Sequence, residues 1–414
     1  AGYADAQGQA GGMSSIAYAW EFGANLGHIG TFLPIARDLR EHGHDVHWMV
    51  THTNQAAKLL DREGFSWLQA PVIGEITRKI PPQSYADILL RFGYASADDL
   101  LGLLVAWRQL FLFAKPALLL ADHAPTAILA ARTLDIPVML FGNGFFAPPQ
   151  ISPMPNMRPW THVPMETLVQ LEQEALASVN LVLHRFAREP LGCLAELFQV
   201  AETSLLTFPE LDHYAQRGQA AYWGTLPAAV ANPPVWSSAA RPRVYAYLRA
   251  NSPHCEAALQ TLGNLRKPCL VYCPDIPQAM REKYSSADLH FADAPVDLNL
   301  AAQEADAAVT YGSPATTIAF LLAGKPVLML PGHLEQFLFA LRVEGFGAGL
   351  LINPEHAPAD LPQKLQRILF EPSFVENARA FAKKYESFNQ AQVQAHLVNR
   401  IEELAQVATA KGSP

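Results

Sequence analysis

Two rhythms of apolar and polar positions alternate along this chain. "SSIAYAWEF" is a short apolar run of strand length, and "IGTFLPIARDLREHG" after it places Phe32, Ile35, Ala36 and Leu39 at helical spacing. Gly43 supplies a C-terminal stop for that helix. "HDVHWMV" then reads as a strand, and "TNQAAKLLDREG" as a second helix closed by Gly64. The order returns in "KPALLLAD", "APTAILAARTLD" and "IPVMLFG"; further on, "METLVQLEQEALASVNLVLHRFA" is the longest helical run. A stretch rich in proline and small residues, "GTLPAAVANPPVWSS", interrupts the pattern. Beyond it "RVYAYLR", "CLVYCP", "LHFADAP", "AAVTYG" and "KPVLMLP" read as strands, with a helix after "AAVTYG".

Strand and helix in alternation predict parallel sheets covered by helices on both faces, an α/β architecture of two Rossmann-like, doubly wound domains. The chain of 414 residues suits two domains of about 200 residues each. The expected boundaries are a linker-like opening over 1–12, a first domain over 13–226, a linker over 227–238 and a second domain over 239–414, whose last helix is free to pack back on the first. In such sheets ligands bind outside the carboxyl ends of the strands, so both sets of functional loops are expected to face an interdomain cleft.

Composition narrows the function. The net charge of -8 argues against a sequence-independent grip on nucleic acid. Cys193, Cys255, Cys269 and Cys273 form neither a disulfide framework nor a CxxC pair, which points to a reducing, cytoplasmic setting. Cys269 and Cys273 flank "LVY" in an apolar strand and read as core. The most apolar stretch, "DLLGLLVAWRQLFLFAKPALLL", is broken by Arg108, Lys115 and Pro116, so no transmembrane segment is expected.

The second half carries "ADAAVTYGSPATTIAFLLAGKPVLMLPGHLEQFLFALRVEGFGAGLLI", residues 305–352. Its turn, "YGSPATT", sets Ser313, Pro314 and Thr316 at the start of a helix. Proline suits the first helical position, and backbone N–H groups there can hold a diphosphate, or the turn is an ordinary capped helix. Glu335-Gln336 follow Pro331 closely and can hold sugar hydroxyls, or they open a helix with an acid complementing its dipole.

This segment resembles the donor-binding signature of the UDP-glycosyltransferase-like GT-B enzymes, the nucleotide-sugar glycosyltransferases of plants, animals and antibiotic pathways. The matching positions are Gly312, Gly324, Pro326, Pro331, Glu335, Gln336 and Ala340. "GANLGHIGTFLPIARDLREHGHDV" resembles the same family's acceptor-domain opening, and "SLLTFPELDHY…AAYWGTLP" its run-in to the linker. The resemblance implies an inverting hexosyltransferase that needs no metal or cofactor and uses a UDP- or dTDP-sugar. Its donor contacts would be Arg249, Thr310, Gly312, Ser313, Thr316, Glu335 and Gln336; its acceptor contacts would be Asn25, Asn143, Phe145 and His333. Three positions depart from the pattern. Thr310 stands where the family has a phosphate-binding histidine, Ile318 where it has a ribose-binding glutamate, and Arg249-Ala250 where it has a small strand-end pair. A guanidinium at Arg249 suits phosphate oxygens.

The resemblance also gives His28 and Asp122 roles. The histidine, expected in the loop after the first strand, would deprotonate the acceptor hydroxyl, and Asp122, ending "KPALLLAD", would orient it. An imidazole with an ordinary pKa near 6.5 can take that proton at neutral pH, and a carboxylate on its other nitrogen fixes the tautomer. By itself a histidine in such a loop is more often structural or merely exposed. His42, His44, His47 and His52 also cluster in sequence, but His42 and His44 end a helix and His47 faces away from Val46, Trp48 and Val50, so no metal site is expected. Gly23, Gly27 and Gly30 have the wrong spacing for a dinucleotide fingerprint, and "MVTHT" offers no acid for a ribose. Two rivals remain: a sugar-nucleotide epimerase, and a non-catalytic binding partner of the same fold. Apolar and aromatic residues over 85–113 and in "FGNGFFAPP" favour a small apolar or aromatic acceptor.

Overall fold

The computed structural model describes residues 13–23, 27–76, 78–215, 217–218, 220–227 and 231–412. The expected opening linker, 1–12, and Asn25 lie outside the described residues. The chain divides into two compact units: Ala1–Thr207, Tyr214–Pro227 and Ala391–Pro414 in the first, Phe208–His213 and Ala228–Gln390 in the second.

The first unit is built on seven parallel strands: β1 (Ser15–Trp20), β2 (Asp45–Val50), β3 (Trp67–Gln69), β4 (Leu118–Asp122), β5 (Val138–Gly142), β6 (Glu202–Leu205) and β7 (Ala221–Tyr222). They lie in the order β3-β2-β1-β4-β5-β6-β7. The winding reverses between β1 and β4, whose register sets Tyr18 beside Leu120 and Trp20 beside Asp122. This is the switch point at which such sheets open a crevice for ligands. The last helix, Gln390–Gly412, belongs to this unit, with Leu397, Val398, Ile401 and Ala405 in one core with Tyr18, Phe32 and Trp48. Its Glu402 meets His42 Nδ1 at 2.7 Å and His44 Nε2 at 3.0 Å, so two of the four clustered histidines help dock a helix.

The second unit has six parallel strands: β8 (Val244–Tyr247), β9 (Cys269–Tyr272), β10 (Leu289–Ala292), β11 (Ala307–Thr310), β12 (Val327–Met329) and β13 (Gly349–Leu351). Their order is β10-β9-β8-β11-β12-β13, with the switch point between β8 and β11, where Tyr247 faces Thr310. Period-2 alternation serves two cores: Tyr245 and Ala308 point to one face, Val244, Ala246, Ala307 and Val309 to the other. From Asn232 onward the proline-rich stretch is tied to this unit, through a bridge to Val296 and a 2.7 Å hydrogen bond from Trp236 Nε1 to Glu304. Phe208, placed by sequence in the first domain, packs here on Phe381, Tyr385 and Phe388.

The four cysteines are free thiols, and no helix among the described residues is long and apolar enough to cross a membrane. The short strands β3, β6, β7 and β13 escape a reading of periodicity because two to four residues carry too little pattern.

Ile401 is fully buried in the first unit's core. Ile401→Ala should cost about 2–5 kcal/mol, the usual range for such truncations. Hydrogen exchange should then show lost protection in β1 and β4 but not in β8 and β11; equal loss in both units, or none, would contradict this placement of the helix.

Candidate active site

The switch point of the first sheet gathers a cluster of buried polar side chains. Asp122 ends β4 with 2% of its surface exposed. Its Oδ2 lies 2.9 Å from His28 Nδ1 and 2.7 Å from the Tyr18 hydroxyl, which is also 2.9 Å from the His28 carbonyl oxygen. A carboxylate only accepts, so His28 Nδ1–H is the donor, and in the neutral ring Nε2 is left as the basic nitrogen. Burial first, and then the charge and hydrogen bond of Asp122, push the Tyr18 phenol well above its ordinary pKa, so it stays a hydroxyl. Trp20 stacks on the imidazole at 4.9 Å and Phe146 flanks it at 5.2 Å.

His28 is not in a loop, as its glycine-rich surroundings suggested. It sits in the first turn of the helix Gly27–Glu41, because the apolar stripe that drives this helix extends back to Ile29. Two glycines leave room for the pair. A Cβ on Gly23, whose φ is +93°, would stand 2.9 Å from His28 Nε2, and one on Gly142, at φ +142°, would stand 3.0 Å from Asp122 Oδ1. Glycine alone meets both the backbone and the space requirement.

Asn143 caps the short helix Gly144–Phe146, its side-chain oxygen accepting the Phe145 N–H at 3.0 Å. Arg217 clamps that loop from outside, donating to the carbonyls of Gly144 and Ala147. Phe145 is buried beside Tyr85 and His123, so it fronts an aromatic cluster. His123 and Glu21, which sequence reasoning passed over, lie in the same region. Glu21 follows β1, is 5% exposed, and accepts the Thr126 N–H at 2.8 Å, in the first turn of the helix Pro125–Thr133. The detectable signal was an acid directly after an apolar strand, "AYAWEF".

The second sheet's switch point has a different character. Arg249 follows β8 and stands 3.5 Å from Asp275, whose other oxygen accepts the Ala250 N–H at 3.1 Å. Partial burial works against the guanidinium charge, but Asp275 and the nearby Tyr247 and Tyr311 outweigh it and raise its pKa. Across from it Gly312, φ +90°, opens the turn into the helix Pro314–Leu322. Ser313 caps that helix by accepting the Thr316 N–H, with Pro314 at the first helical position.

The predicted donor residues divide here. Thr310 and Thr316 are fully buried. Thr310 Oγ1 accepts the Gly312 N–H at 3.1 Å and meets Thr317 Oγ1 at 3.3 Å, so it clamps the turn from inside. Ile318 is core. Gln336 is buried, its stem packed where a Cβ on Gly312 would stand and its Oε1 accepting the Gly332 N–H at 2.9 Å, a capping contact at the start of the helix Leu334–Gly345. Glu335 occupies the same first turn, half-buried, and His333 is the exposed N-cap. Arg249, Gly312, Ser313 and Gln336 are therefore placed around one switch point, while Thr310 and Thr316 support it from beneath.

Comparison with known proteins identifies the fold. No protein-family model matches the chain. A crystal structure described as the glycotransferase of kitacinnamycin superposes with a TM-score of 0.68 at 16% identity, covering 95% of this chain and 99% of that one. The spinosyn rhamnosyltransferase SpnG, complexed with spinosyn aglycone, gives 0.64 at 18% identity over 94% and 100%. The glycosyltransferase VinC, in complex with dTDP, gives 0.61 at 18% identity over 94% and 99%. The fold is GT-B.

Curated relatives of this GT-B chain are also glycosyltransferases. A PGL/p-HBAD biosynthesis glycosyltransferase of Mycobacterium tuberculosis is 25% identical over 299 residues, 66% of this chain and 69% of that protein. A sterol 3-beta-glucosyltransferase of Vanderwaltozyma polyspora is 35% identical over 79 residues; this match spans 19% of the chain and only 6% of the yeast protein.

Burial raises the Glu21 carboxyl from 4.5 to about 7, although the Thr126 and Ala127 N–H groups pull it down. A raised folded-state pKa means stability present below about 4.5 and lost as pH rises through 7, on the order of 3 kcal/mol by pH 8. Glu21→Gln, which keeps an acceptor for Thr126, should therefore match wild type in urea unfolding at pH 4.5 and exceed it at pH 8. A constant difference across that range would refute the assignment.

Proposed function

We propose that this chain is an inverting, metal-independent glycosyltransferase that moves a sugar from a UDP- or dTDP-sugar to a hydroxyl of a small, aromatic or apolar acceptor in the cytoplasm. The observation that carries the reading is the His28–Asp122 pair at the first sheet's switch point, 2.9 Å apart and both largely buried. GT-B relatives bearing glycosyltransferase names support it.

In this reading the first unit supplies the base. As the acceptor oxygen attacks the anomeric carbon, its proton passes to His28 Nε2, and Asp122 stabilises the imidazolium that forms. The bond from the anomeric carbon to the diphosphate breaks on the opposite side, which inverts the configuration. The second unit supplies the leaving-group site. Arg249 offers fixed positive charge, and the N-terminus of the helix Pro314–Leu322 adds its dipole and the N–H groups its cap leaves over. Charge from these protein groups is what makes a metal unnecessary in the proposal.

Thr310, Thr316 and Gln336 take structural parts here, holding the turn that Gly312 opens. Glu335 remains the candidate partner for sugar hydroxyls, and Asn143, Phe145 and His333 the candidate acceptor contacts.

A thermal-shift screen of UDP, dTDP and their sugars tests donor class directly, because a specific ligand stabilises the folded state by mass action. With the active donor, His28→Ala should lower turnover by roughly a hundredfold or more while donor binding stays near wild type. Asp122→Asn should fold normally and lose turnover to a similar degree. Wild-type turnover in either variant would remove the pair from the mechanism.

Arg249→Ala should weaken the free nucleoside diphosphate and the nucleotide sugar by the same factor, on the order of ten to a hundredfold for a lost charge-assisted contact. Loss confined to the nucleotide sugar would place Arg249 at the sugar and not at the phosphates.

A further inference from the structure

His123, immediately after Asp122, is a polar side chain that the proposed chemistry leaves unused. It is 8% exposed. Its ring is enclosed by Phe146, stacked at 4.2 Å, by Phe22 at 5.3 Å, by Tyr85 at 6.0 Å and by Phe145 at 6.1 Å. Among the described residues neither ring nitrogen has a hydrogen-bond partner, and neither does the Tyr85 hydroxyl. Buried polar groups are nearly always paired, and each one left unpaired costs about 1–3 kcal/mol. His123 also holds a left-handed backbone, φ +49°, which costs a non-glycine residue roughly 1–2 kcal/mol. Its carbonyl anchors this conformation by accepting the Phe22 N–H at 3.0 Å. Strain and unmet hydrogen bonds on one residue beside the proposed base call for a ligand group to meet them.

Burial, with a smaller repulsion from His28, holds the imidazole pKa well below its ordinary value. The ring is therefore neutral and offers one donor and one acceptor, which suits an uncharged oxygen. The surrounding rings suit a flat apolar body. Phe146 lies against both imidazoles, 4.2 Å from His123 and 5.2 Å from His28, so about one aromatic ring separates the proposed base from the unpaired histidine.

We propose that His123 is a specificity-determining residue for the acceptor, hydrogen-bonding a second oxygen of a fused-ring aromatic acceptor whose reacting hydroxyl lies at His28. The acceptor body displaces the half-buried Phe146 ring and packs on Phe22, Tyr85 and Phe145. This rests on the reading of the first unit as the acceptor site.

A pair of probes tests it: 2,7-dihydroxynaphthalene, which carries the second oxygen, and 2-naphthol, which lacks it. The wild-type chain should bind the diol more tightly, on the order of tenfold or more for one buried hydrogen bond. Adding the diol, but not 2-naphthol, should shift the His123 ring nitrogens in 15N spectra. His123→Phe should abolish the preference while leaving nucleotide binding unchanged, and His123→Gln, which can still donate and accept, should restore part of it.

A preference that persists in His123→Phe, or equal weakening of both probes, would overturn the proposal in favour of simple packing. Should the phenylalanine variant not fold, an unmoved His123 signal in the wild type would overturn it alone. Nucleotide-sugar turnover on other acceptors without naphthol binding would sink this proposal and leave the transferase reading standing. If neither phenols nor nucleotides bind, both fall.

Discussion

A buried carboxylate organises the first unit. Asp122 has almost no contact with solvent, and a carboxyl group so placed needs hydrogen-bond donors around it. Two are supplied to Oδ2, by Tyr18 from β1 and by His28 from the helix that follows β1, while Oδ1 is buried without a partner among the described residues. One comes from the strand paired with β4 and the other from the helix after that strand, so the carboxylate fastens strand, helix and neighbouring strand together at the point where the winding reverses. The flanking choices follow from this contact. Gly142 leaves space beside one carboxylate oxygen, Gly23 leaves space beside the far ring nitrogen, and Trp20 and Phe146 cover the imidazole.

The two sheets share a topology and use it for opposite electrostatics. At the first switch point the groups are an acid, a neutral phenol and imidazoles, enclosed by aromatic rings. That environment favours moving a proton without letting water compete. At the second the groups are Arg249 and a helix N-terminus, which favour developing negative charge. Where the glycosyltransferase pattern carries a histidine and a glutamate, this chain has Thr310, bonded within the turn, and Ile318, in the core. A positive charge stands instead at the end of β8, where Arg249 lies beside Asp275, with Tyr247 and Tyr311 nearby.

Polar groups near the first site are held under tension of different kinds. Glu21 is buried at a helix N-terminus with a pKa pushed up to about 7, and His123 is buried, strained and without partners among the described residues. Such costs are usually removed from a core that has only to fold. Both residues stand directly after the carboxyl ends of β1 and β4, at the switch point of the sheet.

The sequence by itself determined the elements and the class of fold. The runs that become β1, β2, β4, β5, β8, β9, β10, β11 and β12 are apolar over strand length, and the helices between them keep a 3.6-residue stripe, because these signals are local and survive in one dimension. The turn glycine, the helix cap at Ser313 and the order of motifs were legible for the same reason. Only the tertiary structure decided what meets what. His28 and Asp122 are separated by 94 positions and touch because β1 pairs with β4. Thr316 and Gln336, polar in sequence and plausible as ligand groups, point inward because their hydroxyl and amide are needed to cap helices and close a turn. The last helix crosses to the first unit because Leu397, Val398, Ile401 and Ala405 find their core there. His123 looked like one more residue after a strand; its meaning came from the rings that surround it, drawn from three separate segments, and no spacing rule in the sequence brings those together.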